Sequence, residues 1–198
     1  MNEHSFWYLS RASGLVAWVV LAVTCLWGIL LITRMLKPAD RPAWLLDLHR
    51  YLGVLSILTT VAHVALLLGD DWMAPTWQEL VVPGGLKPTT EARMAPGAGA
   101  AMNWGIYAMY VMIIIQVSSW AMKLIPKKLW HGIHLTSYAL FVMATVHGIQ
   151  AGSDIDNMVL LLSMSGIIGI VLFALVARIL QGRAKKAQRA QARALQGV

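Results

Sequence analysis

A chain of 198 residues that is 58% hydrophobic and only 13% charged is too apolar for an ordinary soluble domain, in which about 45–50% of residues are apolar. Its single cysteine, Cys25, excludes an internal disulfide and any cysteine-ligated cluster. The net charge of +7 gives no reason to invoke nucleic acid, because the basic residues gather between apolar runs, where they read as membrane topology and contact with anionic lipid.

Five runs can cross a bilayer, which takes about 20 apolar residues: roughly 12–33, 47–69, 102–125, 129–150 and 157–180. The expected fold is an all-α membrane protein, a bundle of about five transmembrane helices. No basic n-region and no small-residue cleavage site marks the first run as a signal peptide. Ahead of it, residues 1–11 form a short outer segment, with Trp7 and Tyr8 placed for an aromatic belt and His4 a solvated surface residue. Arg11 stands at the outer end of span one, either as a snorkelling anchor or as a counter-charge for an anionic group.

The second span, LHRYLGVLSILTTVAHVALLLG (48–69), carries His49 and His63. Residues 70–101 form the one long connection; it is too polar to span and of a length that is usually functional or disordered. It is placed to cap the outer end of the bundle or to dock a partner. In span three, Gln116 and the Ser118-Ser119-Trp120 run are accounted for by hydrogen bonding between helices.

The fourth span, LWHGIHLTSYALFVMATVHGIQ (129–150), carries His134 and His147, with His131 one turn before His134. Span five has no ionisable residue between Met158 and Ala177 and closes the bundle. After it comes a basic tail, either surface-lying or disordered, or else a docking site for a soluble donor. The chain thus divides into a membrane domain, 1–182, and a cytoplasmic tail, 183–198.

Thirteen of the sixteen basic residues lie on one side of this topology: Arg34, Lys37, Arg41 and Arg50; Lys123, Lys127 and Lys128; and Arg178 with the tail. Only Arg11, Lys87 and Arg93 lie on the other. By the positive-inside rule the N-terminus is outside and the C-terminus in the cytoplasm of a bacterial-type cytoplasmic membrane.

A histidine inside a membrane helix is costly and marks function by default. The spacings are fourteen residues in span two and thirteen in span four, about 20 Å of helix in each. Both spans start from the cytoplasmic face, so His49 pairs with His134 on the inner side and His63 with His147 on the outer. That is the geometry for two stacked b-type haems, each held between one imidazole of either helix. They are non-covalent, since no C-x-x-C-H attachment motif exists. Fourteen residues return His63 to within about 40° of His49, whereas thirteen leave His147 about 140° from His134 on an ideal helix, so a kink, a π-bulge or unequal approach is expected in span four. Gly53, Gly132 and Gly148 leave room for a porphyrin face. Arg11, Arg50 and His131 are further cofactor-binding candidates, His131 as an interfacial residue or a contact to a propionate.

These residues carry a resemblance. R-A-S-G (11–14), D-L-H-R-Y-L-G (47–53), H-V (63–64), S-S-W (118–120), W-x-x-x-H-x-x-x-Y (130–138) and the H-G and A-G-S-D of 147–154 are similar to the ferric reductase-like transmembrane domain. NADPH oxidases, ferric reductases and the haem subunit of the bacterial methionine sulfoxide reductase system share it. The resemblance implies two b haems on the same four histidines, and it matches Arg11 to the oxidase arginine near the outer haem. No flavin- or NADPH-binding domain follows span five here, so the expected donor is a separate flavoprotein, a quinol or a dissociable flavin.

The leading functional reading is a di-haem membrane cytochrome b, an electron-transfer subunit that moves electrons from a cytoplasmic-side donor to an extracytoplasmic acceptor. An alternative is a haem-bearing structural or accessory subunit of a larger membrane redox complex. A proton or metal transporter using the histidines as a relay fits less well, for want of intramembrane carboxylates.

Overall fold

The computed structural model describes residues 5–35, 41–94, 97–152 and 157–196. His4, Lys37, Asp154 and Asp156 lie outside the described residues. Those described are helical or irregular, with no strand among them. The helices are α1 (Ser5–Thr33), α2 (Pro42–Leu68), α3 (Trp77–Val81), α4 (Pro88–Glu91), α5 (Ala98–Trp120), α6 (Lys127–Leu135), α7 (Ser137–Ala151) and α8 (Met158–Gln196). Five stretches are long and apolar enough to cross a membrane: α1, α2, α5, α6 with α7, and α8.

Span one begins earlier than its apolar run suggests, because FWYLSR contains neither glycine nor proline and the helix extends through the aromatic segment. Span three ends earlier, at Trp120, short of Pro126, whose ring disfavours helix at the residue before it. The basic tail continues the last span as helix. Helix α8 runs unbroken for 39 residues, about 58 Å at 1.5 Å per residue, and so extends well beyond a hydrocarbon layer of about 30 Å.

The core joins four helices. Trp18, Leu21, Ala22 and Cys25 of α1 meet Ala108, Met112 and Ile115 of α5, Leu140 and Phe141 of α7, and Val171 of α8. Trp18 is tied into it twice: its indole N–H donates to Thr145 Oγ1 at 2.9 Å, and its ring stacks on Phe141 at 6.0 Å. Helix α2 packs mainly on α1, and α7 mainly on α5. The two histidine-bearing spans, α2 and α6 with α7, therefore face each other across the bundle with little direct packing between them.

The long connection is pinned to the bundle. Thr76 and Glu79 form the reciprocal pair of a capping box at the start of α3. Buried Glu79 accepts from the Thr76 N–H (2.8 Å) and hydroxyl (2.7 Å) and from the Lys87 N–H (3.0 Å). Tyr110 of α5 donates to the Val81 carbonyl, and the Gly84 N–H donates to Asn103 Oδ1, each at 2.6 Å.

Candidate functional site

The kink expected in span four lies between its two histidines. Helix α6 ends at Leu135 and α7 begins at Ser137. At Thr136 the backbone N–H turns to the Ile133 carbonyl at 3.0 Å, an i→i−3 bond, and the Thr136 hydroxyl donates to the same carbonyl at 2.6 Å. A turn of this tighter kind rotates the chain by about 120° per residue rather than 100°, so three such residues add about 60° and narrow the offset of a thirteen-residue spacing from about 140° to about 80°. The four rings then meet as two pairs. His49 and His134 have centroids 5.9 Å apart with planes at 74°, and His63 and His147 have centroids 6.4 Å apart at 70°.

Three of the rings lie in a repeated cradle. Gly14 and Gly28 stand fourteen residues apart on α1, matching His63 and His49 on the antiparallel α2. A Cβ on Gly14 would sit 2.9 Å from His63 Cε1, and one on Gly28 would sit 3.1 Å from His49 Cε1. On α5, a Cβ on Gly105 would sit 2.8 Å from His147 Cε1 and Nδ1. At Gly14 and Gly105 the carbonyl four residues before the glycine faces the ring's Nδ1. His63 Nδ1 lies 2.8 Å from the Ser10 carbonyl and His147 Nδ1 lies 2.8 Å from the Ala101 carbonyl. His49 Nδ1 is buried and has no hydrogen-bond partner among the described residues. A carbonyl at Nδ1 keeps the proton there and leaves Nε2 as the free lone pair, the state a metal-ligating histidine needs.

Of the glycines beside the histidines in sequence, Gly148 lines the cavity at the His63–His147 pair. Gly53 faces Gln116, while a Cβ on Gly132 or Gly148 would meet nothing closer than 4.0 Å. The cradle glycines leave their own trace in the sequence as a spacing, since Gly14 and Gly28 repeat the interval of His63 and His49.

At the outer pair a cavity of about 230 Å³, lined by Trp18, Met112, Ile168 and other apolar side chains, opens toward a mouth of about 470 Å³. Arg11 borders both, and its guanidinium lies 4.2 Å from the centre of the Trp7 ring. Trp72, Met73, Arg93 and Met94 of the long connection line the mouth, so this connection covers the outer site. In the sequence Arg93 carries only a topology signal.

At the inner pair, Trp130 stacks on His134 at 5.2 Å and 24°. Arg178 of α8 donates to the Tyr138 hydroxyl and lies over the Tyr138 ring, four residues on from His134 in the same span. His131 is exposed, its ring beside Trp130. Arg50 is also exposed and makes a 3.5 Å ion pair with Asp47; it lines neither outer cavity.

The family profile described as "Ferric reductase like transmembrane component" matches residues 13–145. The chain belongs to the ferric reductase-like transmembrane family. No curated protein and no solved structure matches it. The match takes in His49, His63 and His134 and stops two residues short of His147, whose place opposite His63 is seen in the geometry alone. Membership gives this ferric reductase-like chain a redox role in the membrane.

The residues fit a haem at each level. An imidazole nitrogen sits about 2 Å from the metal it binds, so two rings facing through one metal have centroids about 6 Å apart, as both pairs do. Among the described residues no group of three metal-ligating side chains exists. A bare ion ordinarily takes three or four protein ligands; two opposed imidazoles suit an iron whose other four positions are filled by a macrocycle.

Proposed function

We propose that this ferric reductase-like chain is a di-haem membrane cytochrome b that carries electrons from a cytoplasmic-side donor to an extracytoplasmic acceptor. The carrying observation is the pair of facing imidazole pairs, stacked at two depths between helices that otherwise avoid each other. When bound, the haems supply one-electron iron couples at both depths. The chain supplies the rest. His49 with His134 and His63 with His147 would hold the two haems through their imidazole nitrogens. Gly14, Gly28 and Gly105 let the ring edges of His63, His49 and His147 approach the neighbouring helices closely, and the Ser10 and Ala101 carbonyls fix the tautomers of His63 and His147. Trp18, Phe141, Met112 and Ile168 keep water from the space between the levels. Arg11 and Arg93 place positive charge at the outer mouth, where a cofactor carboxylate or an anionic acceptor is stabilised.

The direction is supported by the basic residues of the connections and of α8, which by the positive-inside rule favour the His49–His134 level on the cytoplasmic side. The donor is a separate flavoprotein, quinol or flavin, and lipid surrounds the bundle. The deciding experiment is a reduced-minus-oxidised spectrum of the purified protein with a pyridine haemochrome assay. Two low-spin b haems per chain are expected. A chain that folds without haem, or with one, defeats the reading.

A further inference from the structure

The inner level differs from the outer in its hydrogen bonding. At the outer level both Nδ1 atoms face backbone carbonyls at 2.8 Å. At the inner level His134 Nδ1 and Trp130 Nε1 are buried, and among the described residues neither has a hydrogen-bond partner. A buried donor left without an acceptor costs about 1–3 kcal/mol, and two adjacent ones on stacked rings point to an acceptor that belongs there. Arg178 approaches the same place from α8. It continues that helix's inward stripe after Val171 and Ala174, both buried, and is itself half-buried. Its guanidinium is held by the Tyr138 hydroxyl one helical turn beyond His134. A cation on the packed face of a membrane helix, with an indole donor nearby, is the chemistry of carboxylate recognition.

We infer that Arg178, oriented by Tyr138 and assisted by the Trp130 indole N–H, forms the carboxylate-binding end of the inner site and sets its reduction potential. The inference rests on the di-haem reading; the carboxylate is then a propionate of the inner haem. A fixed positive charge at this point favours the ferrous over the ferric form. Removing it lowers the inner potential and weakens retention of that haem, while the outer site is unaffected. At the separations within one site, the loss of a unit charge is worth on the order of tenfold in the ferrous-to-ferric ratio, or about 59 mV for a one-electron couple.

The test is redox titration and haem content of the purified holoprotein. The variants are Arg178→Gln, Arg178→Lys and Trp130→Phe, with the exposed Arg183→Gln as control, and the inner haem is identified as the one lost in His134→Ala. Arg178→Gln should lower the inner midpoint, or lose the inner haem selectively. Arg178→Lys should restore most of the potential, and Trp130→Phe should loosen the inner haem alone. Arg183→Gln should match the wild type. An inner midpoint and haem content unchanged in Arg178→Gln overturns the inference, as does an equal shift at both haems. If Arg178→Gln loses both haems, the lysine and phenylalanine variants decide, and wild-type inner behaviour in both overturns it. A wild-type protein without an inner haem defeats the di-haem reading itself, a result distinct from any of these. Repeating the titration in neutral and in anionic nanodiscs separates a cofactor carboxylate from lipid phosphate. A shift in Arg178→Gln that appears only in anionic lipid counts against the inference.

Discussion

At the scale of single residues, ligand pairing is the sharpest expectation. His63→Ala and His147→Ala should each remove the outer haem and leave a pyridine haemochrome value near one per chain. His49→Ala and His134→Ala should remove the inner one. His131→Ala should keep both, since His131 is exposed and its ring lies beside Trp130 rather than opposite another histidine. Loss of a haem in His131→Ala with retention in His134→Ala would overturn the ligand assignment. The four facing histidines are legible in the sequence because an imidazole is costly to bury in an apolar run and implies a partner there. Arg178 is not. In sequence it is one more basic residue at the cytoplasmic end, although it occupies the next inward position after Val171 and Ala174 on α8. Positive-inside counting registers the charge of a residue and not the helix face it occupies. Arg50 is the opposite case: adjacency to a ligand in sequence places it among the cofactor-binding candidates, yet one residue is 100° of helix, and its side chain points away into an exposed pair with Asp47.

Helices and loops bring steric and electrostatic predictions of their own. Gly→Ala in a helix interior ordinarily stabilises by about 0.8–1 kcal/mol, and Gly166→Ala or Gly169→Ala on α8, with open space around them, should be neutral or mildly stabilising. Gly105→Ala and Gly14→Ala should go the other way, because the new methyl would lie 2.8 Å and 2.9 Å from the His147 and His63 rings. Thermal unfolding followed by Soret absorbance should show the outer haem released first in both variants, and Gly28→Ala, at 3.1 Å from His49, should be milder and confined to the inner haem. The capping connection depends on Glu79. Burial by itself pushes this carboxyl up; hydrogen bonds from the Thr76 and Lys87 N–H groups and the Thr76 and Thr90 hydroxyls outweigh it and hold the pKa at about 2, against an ordinary 4.5. A depressed folded-state pKa contributes stability that is fully present above the ordinary value and is lost as pH falls through the folded one. Residues 70–94 should therefore stay protected from hydrogen exchange down to about pH 4.5 and open progressively toward pH 2, whereas Glu79→Gln should open them at neutral pH. Protection unchanged in Glu79→Gln would show that the cap is held elsewhere. The histidine spacing shows that span four must bend, because thirteen residues do not close an integral number of turns. It does not show where, since neither proline nor glycine marks Thr136, and the break depends on a threonine hydroxyl competing for its own helix's Ile133 carbonyl.

For the whole molecule, the element order and the stacking of two sites are readable from apolar run length and histidine spacing, whereas the mutual arrangement of the helices is not. Nothing in the periodicity says that α2 leans on α1 and α7 on α5, leaving the histidine-bearing faces apart. That arrangement arises from the core that Trp18 and Cys25 share with Met112, Ile115, Leu140 and Phe141, and it creates the space between the two ligand helices. On the di-haem reading, which end of this assembly faces the cytoplasm decides which haem would meet the donor, and it can be tested directly. Cys25 is the only cysteine and is buried, so it should stay silent toward a membrane-impermeant maleimide. Thr89→Cys, exposed in α4 of the long connection, and Lys186→Cys, exposed on the extended α8, then report opposite sides. With thirteen basic residues gathered at one end against three at the other, Thr89→Cys should label from outside intact spheroplasts, and Lys186→Cys only after permeabilisation. The His63–His147 pair would then be the outer one, with Arg11, Arg93 and the cap facing the acceptor, and Arg178 would stand on the donor side. The reverse labelling pattern would leave both haem sites intact but exchange their roles. The Arg11 and Arg93 mouth would become the entry for electrons, and Arg178 would lie next to the acceptor.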